Sequence, residues 1–461
     1  MKKDVFVWRS RLEAPAEAVF RWHTRPGALE RYNPPWDPFE LLERTGGVEN
    51  GAGAVLRVRV GPFHRRWVVE HFDYQEGHHF RDRQLRGPFA SWEHLHLVEP
   101  DGANACHLED RVEYALPLGP LGRMLRGNYL HRQLTRAFAY RHRTLSADLS
   151  AQQVCADGKA KSVLISGSQG LVGSALIPFL TTGGHEVTRL LRSTSPSKEK
   201  SLTWDPAAPA KDLQPWEGFD AVVHLAGESI ASGRWTAARK ARIRDSRVAG
   251  TKNLCETLAR LDQPPRVLVC ASAIGFYGDR GDEVLCEESS MGKGFLAEVC
   301  RDWEQAAEPA RDKGIRVVHA RFGVILSPRG GALAKMLFPF RMGAGGVIGS
   351  GRQMMSWIAL DDAVGAIHHA LHTESLHGPI NAVAPHPVSN HEFTKKLGHV
   401  LGRPTIMPMP AFAARAVFGE MADELLLAST HVEPRRLLAA HYDFRHWYLE
   451  DALRHLLGKA N

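Results

Sequence analysis

Residues 163–176 read VLISGSQGLVGSAL, and the interpretation of the whole 461-residue chain turns on them. An apolar, strand-like run enters a glycine-rich turn, and the turn opens an amphipathic helix. That context is what gives a glycine motif meaning. Gly167 permits the tight turn, Gly170 lets the backbone approach a pyrophosphate, and Gly173 permits close packing of helix on strand. The free N–H groups at the helix start then face the anion. Gly167, Ser168, Gln169, Gly170, Leu171, Val172 and Gly173 are the first candidate cofactor residues. A glycine-rich turn without a ligand is the structural alternative.

Downstream of Lys161 the sequence alternates strand and helix. Strands are expected at 162–167, 186–192, 220–225, 266–271 and 315–321, and the clearest helices at 171–182 and 236–260. This pattern predicts an α/β fold with a Rossmann-type, doubly wound parallel sheet. The second strand ends in EVTRLLRSTSPSK, where an NAD site usually carries Asp or Glu. Arg192 holds that position, with Ser193 and Lys198 nearby. A guanidinium suits a 2′-phosphate and a carboxylate repels it, so NADP(H) is the expected cofactor. In HLAGESI, Leu225, Ala226 and Gly227 let the adenosine half lie against backbone, and Arg247 is offered as a second cation for the same phosphate. From about residue 325 the alternation breaks into Gly-rich loops, a short PINAVA strand and further helices. These are expected to form a small C-terminal substrate lobe over residues 326–457, with a Rossmann core at 162–325.

Residues 1–148 have a different rhythm. One alternating strand, DVFVWRSRLEA, and a helical stretch precede six more alternating runs: FELLERT, AVLRVRV, RRWVVEHFDY, HHFRDRQLRG, SWEHLHLVE and ACHLEDRVEYAL. A long helix closes the series, with Leu134, Phe138 and Leu145 on one face. This order resembles the START-like (SRPBCC) α+β helix-grip domains, and the resemblance implies an apolar ligand between sheet and helix. His94 and His96 share a strand face, with His107 on the next strand; a metal site is the alternative, a solvated or core-lining face is expected, and no metal is assigned. Residues 149–161 are read as the linker between this domain and the one spanning 162–457.

Composition narrows the function classes. Hydrophobic residues make up 44% and charged residues 24%, which is ordinary globular composition. The net charge of +7 is spread along the chain, and no nucleic-acid-binding motif is present, so no nucleic-acid partner is expected. No apolar run reaches the roughly 18 residues of a membrane span. The N-terminus has no signal-peptide apolar core, and the six cysteines form no CxxC pair. A cytoplasmic protein with reduced thiols is expected; the oligomeric state is left open.

Taken in order, GSQGLVG, VVHLAGESI, RVAGTKNL, ASAIGFYGDRGDEV, GFLAEVCRDWE, RFGVILSPRGGALAKM, GSGRQMMSWIALDDAV and MPAFAARAVFGEMADELLLAST resemble the NAD(P)-dependent epimerase-like (SulA-like) branch of the extended short-chain dehydrogenases. The spacing GxxGxxG agrees with that group, and the resemblance implies Ile325 as a further cofactor residue. Such enzymes place a Ser or Thr after the fifth strand and a Tyr-x-x-x-Lys on the next helix. The Tyr moves a proton at the substrate oxygen, and the Lys lowers its pKa. Ser272 fits the first role. Phe295 stands where the Tyr is expected and Val299 where the Lys is expected. Tyr277 is the substitute acid, with packing of its own turn as the alternative. The substrate-closing segments offer Arg341, Gln353 and Trp357 as substrate contacts, while Asp361 and Asp362 read as helix-start residues. Two functions fit. One is an NADP(H)-dependent oxidoreductase or nucleoside-diphosphate-sugar epimerase-like protein acting on a small-molecule substrate. The other is a non-catalytic, cell-division-inhibitor-like NADP(H)-binding regulator with a ligand-sensing N-terminal domain.

Overall fold

The computed structural model describes residues 3–117, 119–154, 159–193 and 200–459. Linker residues 155–158, with Cys155, and also Lys198, lie outside these. The chain divides into two compact units, built mainly on residues 1–156 and 157–456.

The first unit runs β1 (Asp4–Leu12), α1 (Ala16–Thr24), α2 (Ala28–Arg31), β2 (Glu40–Thr45), β3 (Gly53–Val60), β4 (Phe63–Gln75), β5 (His79–Arg86), β6 (Ser91–Pro100), β7 (Cys106–Ala115) and α3 (Gly119–Val154). Its strands form one antiparallel sheet in the order β1-β7-β6-β5-β4-β3-β2. Alternation along β6 turns Trp92, His94, His96 and Val98 inward. Val112 on β7 and Leu134 and Phe138 on α3 join Trp92 in one apolar cluster, while Leu145 and Leu149 join Val98 and Leu108 in a second. Burial of Leu149 explains why α3 continues past residue 148, through the expected start of the linker. His107 pairs with Glu99 on the opposite face from His94 and His96, because side chains one residue apart on a strand point to opposite sides. His94 and His96 thus share the inner face, as expected, and His107 sits on the next strand with its side chain on the other face.

The second unit contains β8 (Ser162–Ser166), α4 (Leu171–Thr182), β9 (Glu186–Leu191), β10 (Ser201–Thr203), β11 (Ala221–His224), α5 (Ala237–Ala259), β12 (Val267–Ala273), β13 (Val284–Leu285), α6 (Phe295–Gln305), α7 (Glu308–Asp312), β14 (Arg316–Phe322), β15 (Val324–Leu326), α8 (Gly331–Arg341), β16 (Met354–Met355), β17 (Trp357–Ala359), α9 (Leu360–His372), β18 (Gly378–Ala382) and α10 (Asn390–Leu401). The main sheet is parallel with the order β10-β9-β8-β11-β12-β14-β18. The central strands are apolar without alternation, as burial on both faces requires: Val163, Leu164 and Ile165, and Val222 and Val223, are 0% exposed. Strand order reverses between β8 and β11, which makes a crevice at their carboxyl ends. The PINAVA segment belongs to this sheet, with Ile380 of β18 paired to Ala320 of β14, and not to the small lobe.

Candidate dinucleotide site and the altered proton-transfer site

The turn after β8 sits at that crevice. Gly167 has φ +70°, and a Cβ there would lie 2.6 Å from the Leu225 carbonyl carbon and 2.7 Å from the Ala226 nitrogen. A Cβ on Gly173 would lie 2.3 Å from the Gly167 oxygen. These two glycines hold turn, helix and the end of β11 together at distances no side chain permits. Gly170 differs: it is exposed, and the nearest atom to an added Cβ is the Gly167 oxygen at 3.1 Å. Its outward side is free for a ligand. The Gly170 N–H donates to the Gly167 carbonyl at 2.9 Å and closes the turn. Ser168 is 2% exposed, and its Oγ has no hydrogen-bond partner among the described residues. An orphaned buried hydroxyl beside an open glycine at a helix N-terminus fits a pyrophosphate cradle. Gln169 is exposed, and Leu171 and Val172 are half-buried on the first turn of α4. The ends of β8 and β11 are tied by Ser166 and His224, whose Oγ and Nδ1 lie 2.6 Å apart; burial pushes the His224 imidazole down to about 4. The Ala226 N–H also reaches the Ser166 hydroxyl.

Arg192 is exposed immediately past the end of β9. On Arg247, Nη1 donates to the carbonyls of Glu228 at 2.9 Å and Ile243 at 3.1 Å, and the guanidinium stacks on Trp303 at 5.1 Å. Burial lowers its pKa. Through Nη1 it anchors the loop that follows Gly227, and its Cζ and Nη2 lie 3.4 and 3.5 Å from a Cβ placed on Gly227. Ile325 lies half-buried in β15, and its carbonyl oxygen would be 3.4 Å from a Cβ on Gly331, which also borders the Leu171 side chain.

The carboxyl end of β12 carries the largest departure from expectation. Ser272 donates to Glu304 Oε1 at 2.7 Å. Arg321 on β14 clamps the same carboxylate through two bonds, Nε to Oε1 and Nη2 to Oε2, each 2.8 Å. Arg321 Nη1 then donates to the Tyr277 hydroxyl at 2.9 Å, and that hydroxyl donates to Asn381 Oδ1 at 2.7 Å. Tyr277 is 0% exposed, and burial pushes its hydroxyl up to about 12. Its donor and acceptor capacities are both committed inside the protein. Its expected role as substitute acid at the sheet mouth is corrected to a buried strut. Burial alone would raise the Glu304 carboxyl, but Arg321 outweighs it and holds the group below the usual carboxylate value.

Phe295 and Val299 fill the dyad positions with apolar surface. Phe295 packs edge-on against Trp235 at 5.3 Å and lies under the Lys240 ammonium at 4.7 Å; Val299 is 1% exposed. Glu424 reaches over from the lobe and accepts the N–H groups of Phe295 at 2.8 Å and Leu296 at 3.0 Å. It satisfies two of the orphan donors at the α6 N-terminus. Gly275, Gly278, Asp279, Lys293, Leu296, Asp423, Glu424, Ala428 and Thr430 line a small cavity of ≈ 200 Å³ beside it. Asp279 is committed to the Gly281 and Ser429 N–H groups, and Asp423 to Arg415. Lys293 is the exposed cation of this rim. Sequence reasoning missed Lys293, Glu304, Arg321 and Glu424; only the strand registers and the return of the lobe bring them together.

The substrate candidates divide. Arg341 is exposed at the last turn of α8. Gln353 is 7% exposed, and its Nε2 donates to the Ile348 and Leu426 carbonyls. Trp357 is 0% exposed and donates to the His386 carbonyl at 3.0 Å. In this structure the Gln353 Nε2 and the Trp357 Nε1 bind backbone carbonyls of the lobe. Asp362 also differs from expectation. It lies in the first turn of α9 but accepts the N–H groups of Arg445 at 2.7 Å and His446 at 3.1 Å. Burial pushes its carboxyl up to about 7. Asp361 lies 3.4 Å from His455 Nε2.

Comparison with known proteins agrees with this architecture. Residues 163–383 match the NAD dependent epimerase/dehydratase family, residues 409–456 a domain of unknown function (DUF1731), and residues 12–138 the polyketide cyclase / dehydrase and lipid transport family. An epimerase family protein of Mycobacterium tuberculosis is 44% identical over 291 residues, covering 63% of this chain and 96% of the relative. The crystal structure of a nucleoside-diphosphate sugar epimerase from Corynebacterium glutamicum matches with TM-score 0.81 and 36% identity, covering 98% of this chain and 90% of that one. Human epimerase family protein SDR39U1, crystallised with NADPH, matches with TM-score 0.60 and 35% identity, covering 65% of this chain and all of that one. With a START-like domain ahead of its Rossmann-type fold, the chain belongs to the epimerase family of the extended short-chain dehydrogenases.

Proposed function

We propose that this chain binds NADP(H) at the β8–α4 turn and acts as a dinucleotide-binding regulatory protein, not as a Tyr–Lys dehydrogenase. The N–H groups of the Gly167–Gly173 turn and the Ser168 hydroxyl would hold the pyrophosphate, and Arg192 the 2′-phosphate. The human relative crystallised with NADPH supports the choice of cofactor. When bound, the cofactor supplies a hydride donor or acceptor. The protein's own contribution to proton transfer is what this chain lacks. One observation carries the reading: the Glu304–Arg321 pair consumes the hydroxyls of both Ser272 and Tyr277, beside Phe295 and Val299 at the dyad positions. General acid–base catalysis contributes about 10²–10⁴ in rate, and that contribution is removed. An apolar ligand in the N-terminal domain and a cytoplasmic location, which five free cysteines among the described residues fit, belong to the same reading. No helix among the described residues is long and apolar enough to cross a membrane.

A second reading is favoured by the cavity beside α6. Lys293 there could protonate a small polar substrate, so an oxidoreductase or epimerase-like activity would route its proton through Lys293. The experiment is oxidation of bound NADPH by a panel of carbonyls and sugar nucleotides. Slow or absent turnover in the wild type supports regulation. Brisk turnover that Lys293→Ala abolishes, with NADPH affinity intact, supports the second reading.

A further inference from the structure

The inner face of the N-terminal sheet carries a row of charged groups. Strand register sets Asp82 of β5 opposite His94 of β6, and His96 of β6 opposite Asp110 of β7. The His94 and His96 rings lie with centroids 3.9 Å apart and planes tilted by 44°, and both are under 9% exposed. Each imidazole faces a carboxylate at both of its nitrogens. His94 Nε2 and His96 Nδ1 each lie 2.8 Å from Asp110 Oδ1. On the other side, His94 Nδ1 lies 3.2 Å and His96 Nε2 3.5 Å from Asp82 Oδ2.

A neutral imidazole has one N–H and one lone pair. His94 Nε2 hydrogen-bonds Asp110 Oδ1, so a neutral His94 turns its Nδ1 lone pair toward Asp82, whereas His96 Nδ1, 2.8 Å from the same oxygen, makes no hydrogen bond among the described residues. Two buried carboxylates facing one pair of rings call for a cation between them, which a protonated His94 or a bound metal ion in its place supplies. The Asp82-side distances of 3.2 and 3.5 Å stand at or beyond the long end of the hydrogen-bond range and also match the separation of two ligands on one ion. Bonds of about 2.0–2.2 Å to a shared metal place neighbouring donors about 3–3.5 Å apart. The three donor atoms all lie within 4.8 Å of one another.

We infer that Asp82, His94 and His96 form a binding site for a divalent first-row transition metal, Zn²⁺ or Fe²⁺, inside the START-like domain. Two histidines and one carboxylate form a recognised facial set that leaves further positions open. Asp110 supplies the outer carboxylate that fixes ring orientation and tautomer in such sites. It is itself held by His142 Nε2 of α3 at 2.6 Å, so sheet and helix both brace the ligands. His71 is the cross-strand partner of Asp82, and its buried Nδ1 has no hydrogen-bond partner among the described residues, which makes it the candidate fourth donor. The resemblance assigns this face to an apolar ligand; a bound metal would instead let it take a ligand with a carboxylate, hydroxyl or carbonyl oxygen.

The test uses the untagged full-length chain. Metal content is measured by mass spectrometry after growth with added Zn²⁺, and binding is followed by visible absorption on titration with Co²⁺. The expected result is one equivalent of metal and a rise in melting temperature with Zn²⁺ over chelator in the wild type. Asp82→Asn and His96→Gln should each weaken binding at least tenfold. Asp110→Asn should weaken it about 10- to 100-fold while keeping one equivalent. His372→Ala, in the separate imidazole group of His185, His368 and His372, should leave binding unchanged. The inference is overturned if the wild type neither binds Co²⁺ nor is stabilised by Zn²⁺, if Asp82→Asn binds as tightly as the wild type, or if His372→Ala abolishes binding. Failure of the wild type to bind Co²⁺ or gain stability from Zn²⁺ overturns the inference even where a variant fails to fold, and where Asp82→Asn does not fold, loss of binding in His96→Gln with retention in His372→Ala assigns the site.

Discussion

Gly173 and Phe295 both stand on the first turn of a helix in the same doubly wound unit, yet they are constrained in different ways. At Gly173 the neighbouring backbone leaves no room for a Cβ. At Phe295 the backbone is an ordinary helix start, capped by Glu424, and what changes is only the side chain. The contrast teaches where each capability resides. Dinucleotide binding is carried by main-chain shape and close approach, so it can be read from glycines. Proton transfer is carried by side chains on a tolerant backbone, so it can be replaced by packing without altering the fold. In this chain the replacement is elaborate: Ser272, Glu304, Arg321, Tyr277 and Asn381 form one buried network where a reactive pair would otherwise be served.

If that network is structural, breaking it should cost stability above all. Arg321→Met leaves Glu304 buried and unpaired, and a loss of about 3–5 kcal/mol in denaturant unfolding is expected. A loss below about 1 kcal/mol would mean that the network is a poised site and not a scaffold. The other half of the comparison is tested by Gly173→Ala. Its Cβ forces the Gly167 oxygen and Ser168 Cα aside, a strain of about 1–3 kcal/mol, so NADPH affinity should fall by up to about a hundredfold. Unchanged affinity would separate the turn from the cofactor. Tyr277→Phe strands Arg321 Nη1 and Asn381 Oδ1 and should cost about 1–3 kcal/mol in stability, with NADPH affinity unaltered in a fluorescence titration.

A separate effect concerns pH. The Asp362 carboxyl is raised to about 7 in the folded state against an ordinary 3.8. Between about pH 4 and 7 the folded chain therefore binds more protons than the unfolded chain, and stability falls as pH rises through that window. Thermal melts of the wild type against Asp362→Asn should show this slope for the wild type and its absence in the variant. Glu304 has the opposite sign, since its lowered value gives stability that is lost as pH falls through the acidic carboxylate range.

Much of the fold was legible because its signals are local. The apolar runs at 163–165 and 222–223 and the helix at 171–182 follow from periodicity, and the three glycines from their spacing. The six alternating runs before residue 116 all became strands. Register and return contacts were not legible. His94 and His96 are two apart on one strand, but Asp82 and Asp110 reach them only through pairing with β5 and β7. Arg321 meets Glu304 across strand and helix, and Gln353 and Trp357 turned inward where the resemblance placed substrate. Sequence likewise does not reveal that Arg247 Nη1 binds the carbonyls of Glu228 and Ile243.

The account rests most heavily on an NADP(H) site at the turn with Arg192 as its selective residue, and calorimetric titration of the full-length chain with NADPH and NADH tests that directly. A charge-assisted contact worth about 1.5–3 kcal/mol predicts NADPH binding about ten- to a hundredfold tighter than NADH, with the difference erased by Arg192→Asp. Equal affinities for the two cofactors in the wild type, or a preference that survives Arg192→Asp, would contradict it.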